Sequence, residues 1–282
     1  MERPMTAPVD RLLFGTAGVP KSSPQTSSLS GVKRIKELGL DCQEVEFVQG
    51  VKMGVDTARE IKAEAELLGV ALSVHAPYWV NLNSAEKSKR HMSQQRLLNS
   101  ARMARELGAR SVVFHSAFYH KDKPEDVFET VKHELDEVMS ILRSERNPVV
   151  MRPETMGKRS QFGSLEEILF LCQEVEGLQP CLDFSHIYSR EGKANTYLHF
   201  HRILTKVAKK LGDAALKDIH IHISGQLFND KGELKHVNLA EADFRYDDWI
   251  QALKHFDVRG MVICESPDQE GDALMLKKLY SG

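Results

Sequence analysis

The chain has 282 residues, 41% hydrophobic and 28% charged, an ordinary globular composition with room for two average domains or one α/β barrel of about 250 residues. Its 38 basic and 40 acidic residues leave a net charge of −2, which excludes a global attraction to nucleic acid or anionic membrane but permits a local basic rim on a groove. No apolar run reaches the roughly 18 residues of a transmembrane helix, and the stretch from Met1 to Pro8 lacks the apolar core of a secretory signal. No membrane association and an intracellular, cytoplasmic location are therefore expected.

Residues 1–10 read as a flexible N-terminal extension. Leu12 to Gly15 is the first apolar run. Ser30-Gly31 opens a helix through Val32, Ile35 and Leu38 that stops at Gly39. Cys42 to Phe47 alternates as a strand, and Ala58, Ile61, Ala65 and Leu68 repeat at helical spacing before Gly69. Val70–His75 is the third strand and Lys87–Leu107 a helix. Ser111–His115 is the fourth strand, and Pro124 begins a helix with Val127, Val131, Leu135, Val138 and Leu142 on one face. Pro148–Glu154 is the fifth strand, followed by a capping box at Ser164 and Glu167.

Gln179–Asp183 is the sixth strand, with a loop expected after it. A helix covers Tyr197–Leu211 and the seventh strand covers Asp218–Ile223. A 23-residue segment, Ser224 to Tyr246, follows, with turn residues at Asn229-Asp230-Lys231-Gly232; loops of that length in compact domains are often functional. A helix at Tyr246–Phe256, the eighth strand at Gly260–Glu265 and a helix at Ala273–Leu279 close the chain. Eight strand–helix units without a linker predict one domain, a (β/α)8 TIM barrel. The competing open doubly wound sheet is disfavoured because no Gly-rich phosphate turn follows the first strand.

In such a barrel the chemistry lies at the C-terminal ends of the strands. Strand three ends at His75, four at His115, five at Glu154, six at Asp183 with His186 just beyond, seven at His222, and eight at Glu265. His236 lies in the long segment and Glu46 near the end of strand two. Any one of these is commonly a rim or ion-pair residue. As a ring at one end of the barrel they read as metal ligands. Imidazole with carboxylate suits zinc, and also manganese or iron. Eight ligands exceed one tetrahedral ion, so two or three ions are expected, with Glu154 central enough to bridge. Paired metals about 3.5–4 Å apart suit phosphoryl displacement. Cys42, Cys172, Cys181 and Cys264 form no C-x-x-C pair and read as buried reduced thiols.

The segments His75-Ala76-Pro77-Tyr78-Trp79-Val80-Asn81-Leu82, Phe114-His115, Pro153-Glu154-Thr155, Cys181-Leu182-Asp183-Phe184-Ser185-His186, His220-Ile221-His222-Ile223-Ser224, His236 with Leu239, and Cys264-Glu265 resemble, in order, the endonuclease IV family of the xylose-isomerase-like barrels. The resemblance implies a metal-dependent apurinic/apyrimidinic endonuclease that hydrolyses the phosphodiester 5′ to abasic sites in double-stranded DNA, acting as a monomer in base excision repair. It implies a zinc cluster: Glu154 bridging; His75 and His115 at the first ion; Asp183, His222 and Glu265 at the second; His186 and His236 at the third. Glu154 and Glu265 would be catalytic, and Tyr78 would enter the DNA at the lesion.

The pattern breaks at Leu234, where the family has a ligating Asp; Asp230 or Glu233 is the expected substitute, and otherwise two ions remain. His220 reads as a residue one layer below His222. Lys87, Lys89, Arg90, Lys121, Lys123, Lys158, Arg159 and Arg190 stand in or beside the mouth loops as candidate phosphate contacts. The alternatives are a sugar isomerase or epimerase using one divalent ion with Glu46, Glu154 or Glu265 moving protons, and a barrel that binds damaged DNA without turnover.

Overall fold

A computed structural model describes residues 9–193 and 195–282; most of the expected N-terminal extension lies outside them. Eight parallel strands form one sheet: β1 (Leu12–Ala17), β2 (Cys42–Glu46), β3 (Ala71–His75), β4 (Ser111–Phe114), β5 (Val150–Pro153), β6 (Cys181–Asp183), β7 (Ile219–Ile223) and β8 (Gly260–Cys264). Their order is β5-β4-β3-β2-β1-β8-β7-β6. The seam between β5 and β6 is closed by parallel bridges at Met151–Leu178 and Glu154–Cys181, so the sheet is a nearly closed barrel. Among the described residues the helices are α1 (Ser28–Glu37), α2 (Val55–Leu68), α3 (Lys87–Glu106), α4 (Pro124–Ser144), α5 (Leu165–Glu174), α6 (Phe184–Glu191), α7 (Tyr197–Leu211), α8 (Tyr246–His255) and α9 (Gln269–Ser281).

Strand alternation sorts the residues. Phe14, Val45, Val74, Val112, Ile221 and Val262 join the large core between strands and helices. Leu13, Cys42, Met261 and Ile263 form a separate apolar cluster, on the alternate positions that face the barrel interior. Within it Met261 and Ile263 pair with His220 and His222 of β7, so the interior is apolar on one side and polar on the other. The face expected on α4 is buried at Val127, Val131, Leu135, Val138 and Leu142. Ser164 caps α5 in a complete capping box with Glu167. The four cysteines are free. No helix among the described residues is long and apolar enough to cross a membrane.

Two expectations are corrected. The loop after Asp183 is the helix α6, in which Phe184, Ser185, His186, Ile187, Tyr188 and Ser189 are all buried. Burial on every side removes the amphipathic period by which a helix is read from sequence. Asp183 is its N-cap, accepting from the His186 amide at 2.7 Å. The long segment after β7 is a hairpin, Gly225–Asn229 against Gly232–Val237. Gly232 has φ +98°, and a Cβ there would lie 2.1 Å from the Gly157 carbonyl oxygen, so glycine is needed both for the turn and for docking the hairpin on the loop after β5.

Candidate metal centre

Register stacks the interior side chains in layers. Glu46 pairs with His75 and Glu44 with Ser73 between β2 and β3. Asp183 pairs with His222 and Cys181 with His220 between β6 and β7. The upper layer, at the C-terminal ends, therefore holds Glu46, His75, Asp183 and His222. Glu44, Ser73, Cys181 and His220 lie one layer deeper. Glu154 and Glu265 follow directly on β5 and β8.

Three groups of ligand-type atoms converge there, each within 4.8 Å: His75, His115 and Glu154; Glu154, Asp183, His222 and Glu265; and His186, Glu233 and His236. Glu154, almost fully buried, joins them. Its Oε2 lies 3.4 Å from His75 Nε2 and 3.1 Å from His115 Nε2. Its Oε1 lies 3.1 Å from His186 Nδ1 and 3.4 Å from His222 Nδ1. Glu265 Oε1 is 3.4 Å from His222 Nδ1. Asp183 divides its work: Oδ1 caps α6, and Oδ2 is buried without a hydrogen-bond partner.

The third group has a different carboxylate position from the one the sequence pattern implies. Leu234 is 58% exposed, and Asp230 at the turn is also exposed. Glu233 instead reaches inward, 3.5 Å from His186 Nε2 and 3.5 Å from His236 Nε2. The cause is a β-bulge. Leu227 pairs with Lys235 and Phe228 with Glu233, so Leu234 is skipped. An extra residue reverses the alternation of faces beyond it. In a regular strand positions 234 and 236 share a face; here 233 and 236 do. Gly157 supplies the space beneath, since a Cβ there would come within 2.9 Å of Glu233 Cβ and of His186 Cδ2.

These donors fit divalent ions. Imidazole and carboxylate bonds of about 2.0–2.1 Å give ligand–ligand edges of roughly 2.9–3.4 Å, close to the separations above. Glu154 Oε1, Asp183 Oδ2 and His222 Nδ1 are buried without an aligned hydrogen-bond partner, a costly state that a shared cation relieves. Without ions the charges pair with protons. Burial pushes the Glu154 carboxyl up, but His222 and His115 outweigh it and hold it well below its usual range. Burial pulls His75 down, but the contact with Glu154 and the charge of Glu46 raise it to about 9. Burial is the main force lifting Glu46 to about 8 and Asp183 to about 6. Burial also lowers His115. Glu233 is held at about 2 against its burial by His236 and His186.

A cavity of about 210 Å³ opens over the groups, lined among others by Tyr78, His115, Glu154, Lys158, Glu233 and Glu265. The Tyr78 ring stacks on His115 with centroids 5.4 Å apart, and its hydroxyl reaches Glu46 at 3.5 Å. Of the basic residues expected at the mouth, Lys158 lines this cavity. Four others have partners within the protein: Arg90 with Glu134 and the Ser84 carbonyl, Arg190 with the carbonyls of Lys158 and Gln161, Arg159 with the Arg190 carbonyl, and Lys89 with Glu86. Glu44 went unnoticed in the sequence. The available signal was its same-face spacing with Glu46 on a barrel strand.

A family described as xylose isomerase-like TIM barrel matches residues 32–279. The chain belongs to that family. An uncharacterized protein of Methanocaldococcus jannaschii is 42% identical over 271 residues, 96% of this chain and 97% of its own. A probable endonuclease 4 of Mycoplasma pneumoniae is 23% identical over 228 residues, 78% of this chain and 76% of its own. Two solved structures superpose well at 19% identity. One is a D-tagatose 3-epimerase-like protein (TM-score 0.72, 95% of this chain and 96% of that one). The other is endonuclease IV from Thermus thermophilus (TM-score 0.70, 96% and 98%). Proteins named as an epimerase-like protein and as an endonuclease thus share this fold, so the fold alone does not choose between them and the ligand groups bear on the choice.

Proposed function

We propose that the chain is a metal-dependent endonuclease that hydrolyses the DNA phosphodiester 5′ to abasic sites. The observation that carries this reading is Glu154, whose two oxygens face different histidines, His75 and His115 on one side and His186 and His222 on the other. A carboxylate so placed suits a bridge between ions, and a multinuclear centre suits phosphoester cleavage. The relatives named probable endonuclease 4 support it.

In this reading Glu154, His75 and His115 hold one ion, Glu154, Asp183, His222 and Glu265 a second, and His186, Glu233 and His236 a third. Zinc, manganese or iron ions bound there would polarise the phosphoryl oxygens and lower the pKa of an attacking water. Glu265, at the end of β8 and facing both His222 and His236, takes the water proton. Tyr78, 44% exposed at the mouth, fills the gap that a missing base leaves, where no base has to be unstacked. Lys158 binds a flanking phosphate. The test is incision of duplex DNA carrying one tetrahydrofuran abasic analogue. Absence of cleavage with both zinc- and manganese-loaded protein would refute the proposal.

One observation favours a second reading. The group Glu154, Asp183, His222 and Glu265 is by itself a one-ion site with two glutamates, suited to moving protons on a hydroxy-carbonyl sugar. A single ion per chain, measured by elemental analysis, would favour it; two or three favour the nuclease.

A further inference from the structure

Beneath the ligand groups lies a buried polar layer, Glu44, Ser73 and His220, which meets them at His222. Glu44, Ser73, His220 and His222 are all within 1% of complete burial. Ser73 Oγ donates to Glu44 Oε2 at 2.8 Å, and His220 Nε2 lies 3.0 Å from the same oxygen. His220 Nδ1 in turn approaches Ser111 Oγ at 3.4 Å. Glu44 Oε1 lies 2.9 Å from His222 Nε2, off the line of an ideal hydrogen bond. His222 is thus addressed from two sides. Its Nδ1 faces Glu154 and Glu265 above, and its Nε2 faces Glu44 below.

We infer that Glu44 is the positioning residue of the centre: it selects the Nε2–H form of His222 and so presents the Nδ1 lone pair as the ligand atom. A neutral imidazole carries one N–H and one lone pair, and the partner of one nitrogen fixes the role of the other. A carboxylate is an acceptor at neutral pH, so the nitrogen beside it keeps the proton. The Ser73 hydroxyl hydrogen-bonds Glu44 from behind and the His220 ring lies beside it, its Nε2 off the line of an ideal hydrogen bond, which accounts for a charge in a layer that water does not reach. Carboxylate–histidine–metal chains of this kind orient the ring and strengthen the ligand. The same layer has a rival use, because Cys181, His220 and His222 also converge within 4.8 Å. An ion held by those three would take His222 through Nε2 instead.

The inference rests on the metal centre proposed above, and its test uses no substrate. Zinc affinity of the full chain and of Glu44→Gln is measured by competition with a chromophoric chelator. Zinc-loaded wild-type protein labelled with ¹⁵N-histidine is measured by NMR, and cobalt-loaded protein by absorption. The expected results are a loss of zinc affinity of roughly 10- to 100-fold in the variant, an exchange-protected Nε2–H with metal-bound Nδ1 at His222, and no thiolate-to-cobalt charge-transfer band. Wild-type affinity in Glu44→Gln, an Nδ1–H signal at His222, or a thiolate band would each overturn it. The ring signal is read in the wild type and stands even where the variant does not fold. Failure to cut abasic DNA would remove the nuclease reading and leave these three readouts in place.

Discussion

Glu233→Gln probes the third ligand group most directly. The substitution keeps the size of the side chain and removes the charge that lies 3.5 Å from both His186 and His236. If the roughly 10–16 kcal/mol of a four-ligand zinc site is divided evenly, one ligand contributes roughly 2.5–4 kcal/mol, or about two to three powers of ten in affinity. Zinc measured by elemental analysis after dialysis should fall by one ion per chain. Competition titration should show one site weakened by about 10²–10³-fold. Leu234→Ala, on the exposed side of the bulge, should change neither. Leu234→Asp in the Glu233→Gln background should not restore the ion, because the skipped residue faces solvent. Retention of every ion at wild-type affinity by Glu233→Gln would refute the assignment, and rescue by Leu234→Asp would refute the bulge as its cause.

Three further outcomes are expected. Glu265→Gln should lower turnover on an abasic duplex by about 10²–10⁴-fold, the range of a lost general base, with little change in DNA binding measured by anisotropy; near-normal turnover would remove Glu265 from the chemistry. Gly157→Ala should cost about 1–3 kcal/mol by overpacking and weaken the third ion selectively, since the new methyl meets His186 and Glu233; an unchanged melting temperature and zinc count would contradict this. In metal-free protein the folded pKa values of Glu46 (about 8, from 4.5) and His75 (about 9, from 6.5) are both raised. The folded state therefore binds these protons more tightly, and their stabilisation is lost as pH rises, through about 8 for Glu46 and about 9 for His75. The melting temperature of chelator-stripped protein should fall from pH 7 to pH 9, while apparent zinc affinity rises over the same range as ligand protons leave; a flat or opposite trend in either measurement would contradict the assignment.

The residues show why much was legible in advance. His75, His115, Glu154, Asp183, His222 and Glu265 each end a short apolar run, and a parallel barrel brings all strand ends to one rim. The period of two within strands and of 3.6 within helices set the elements to within a few residues. Helix α6 escaped because its first six side chains, polar and apolar alike, are buried, so polarity does not mark the period. Glu44 escaped because its neighbours in space, Ser73, His220 and His222, are 29 or more positions away in the chain.

By itself the sequence determined the alternation of strands and helices, the ring of histidines and carboxylates, and the departure at Leu234. The tertiary structure decided which atoms meet. A strand's faces depend on register, and a single bulge opposite Leu227 and Phe228 moved the third carboxylate from position 234 to Glu233. That shift comes from the pairing of the two hairpin strands, so it is settled when the hairpin folds, docked through Gly232 on the loop at Gly157. Composition and spacing along either strand alone do not encode it.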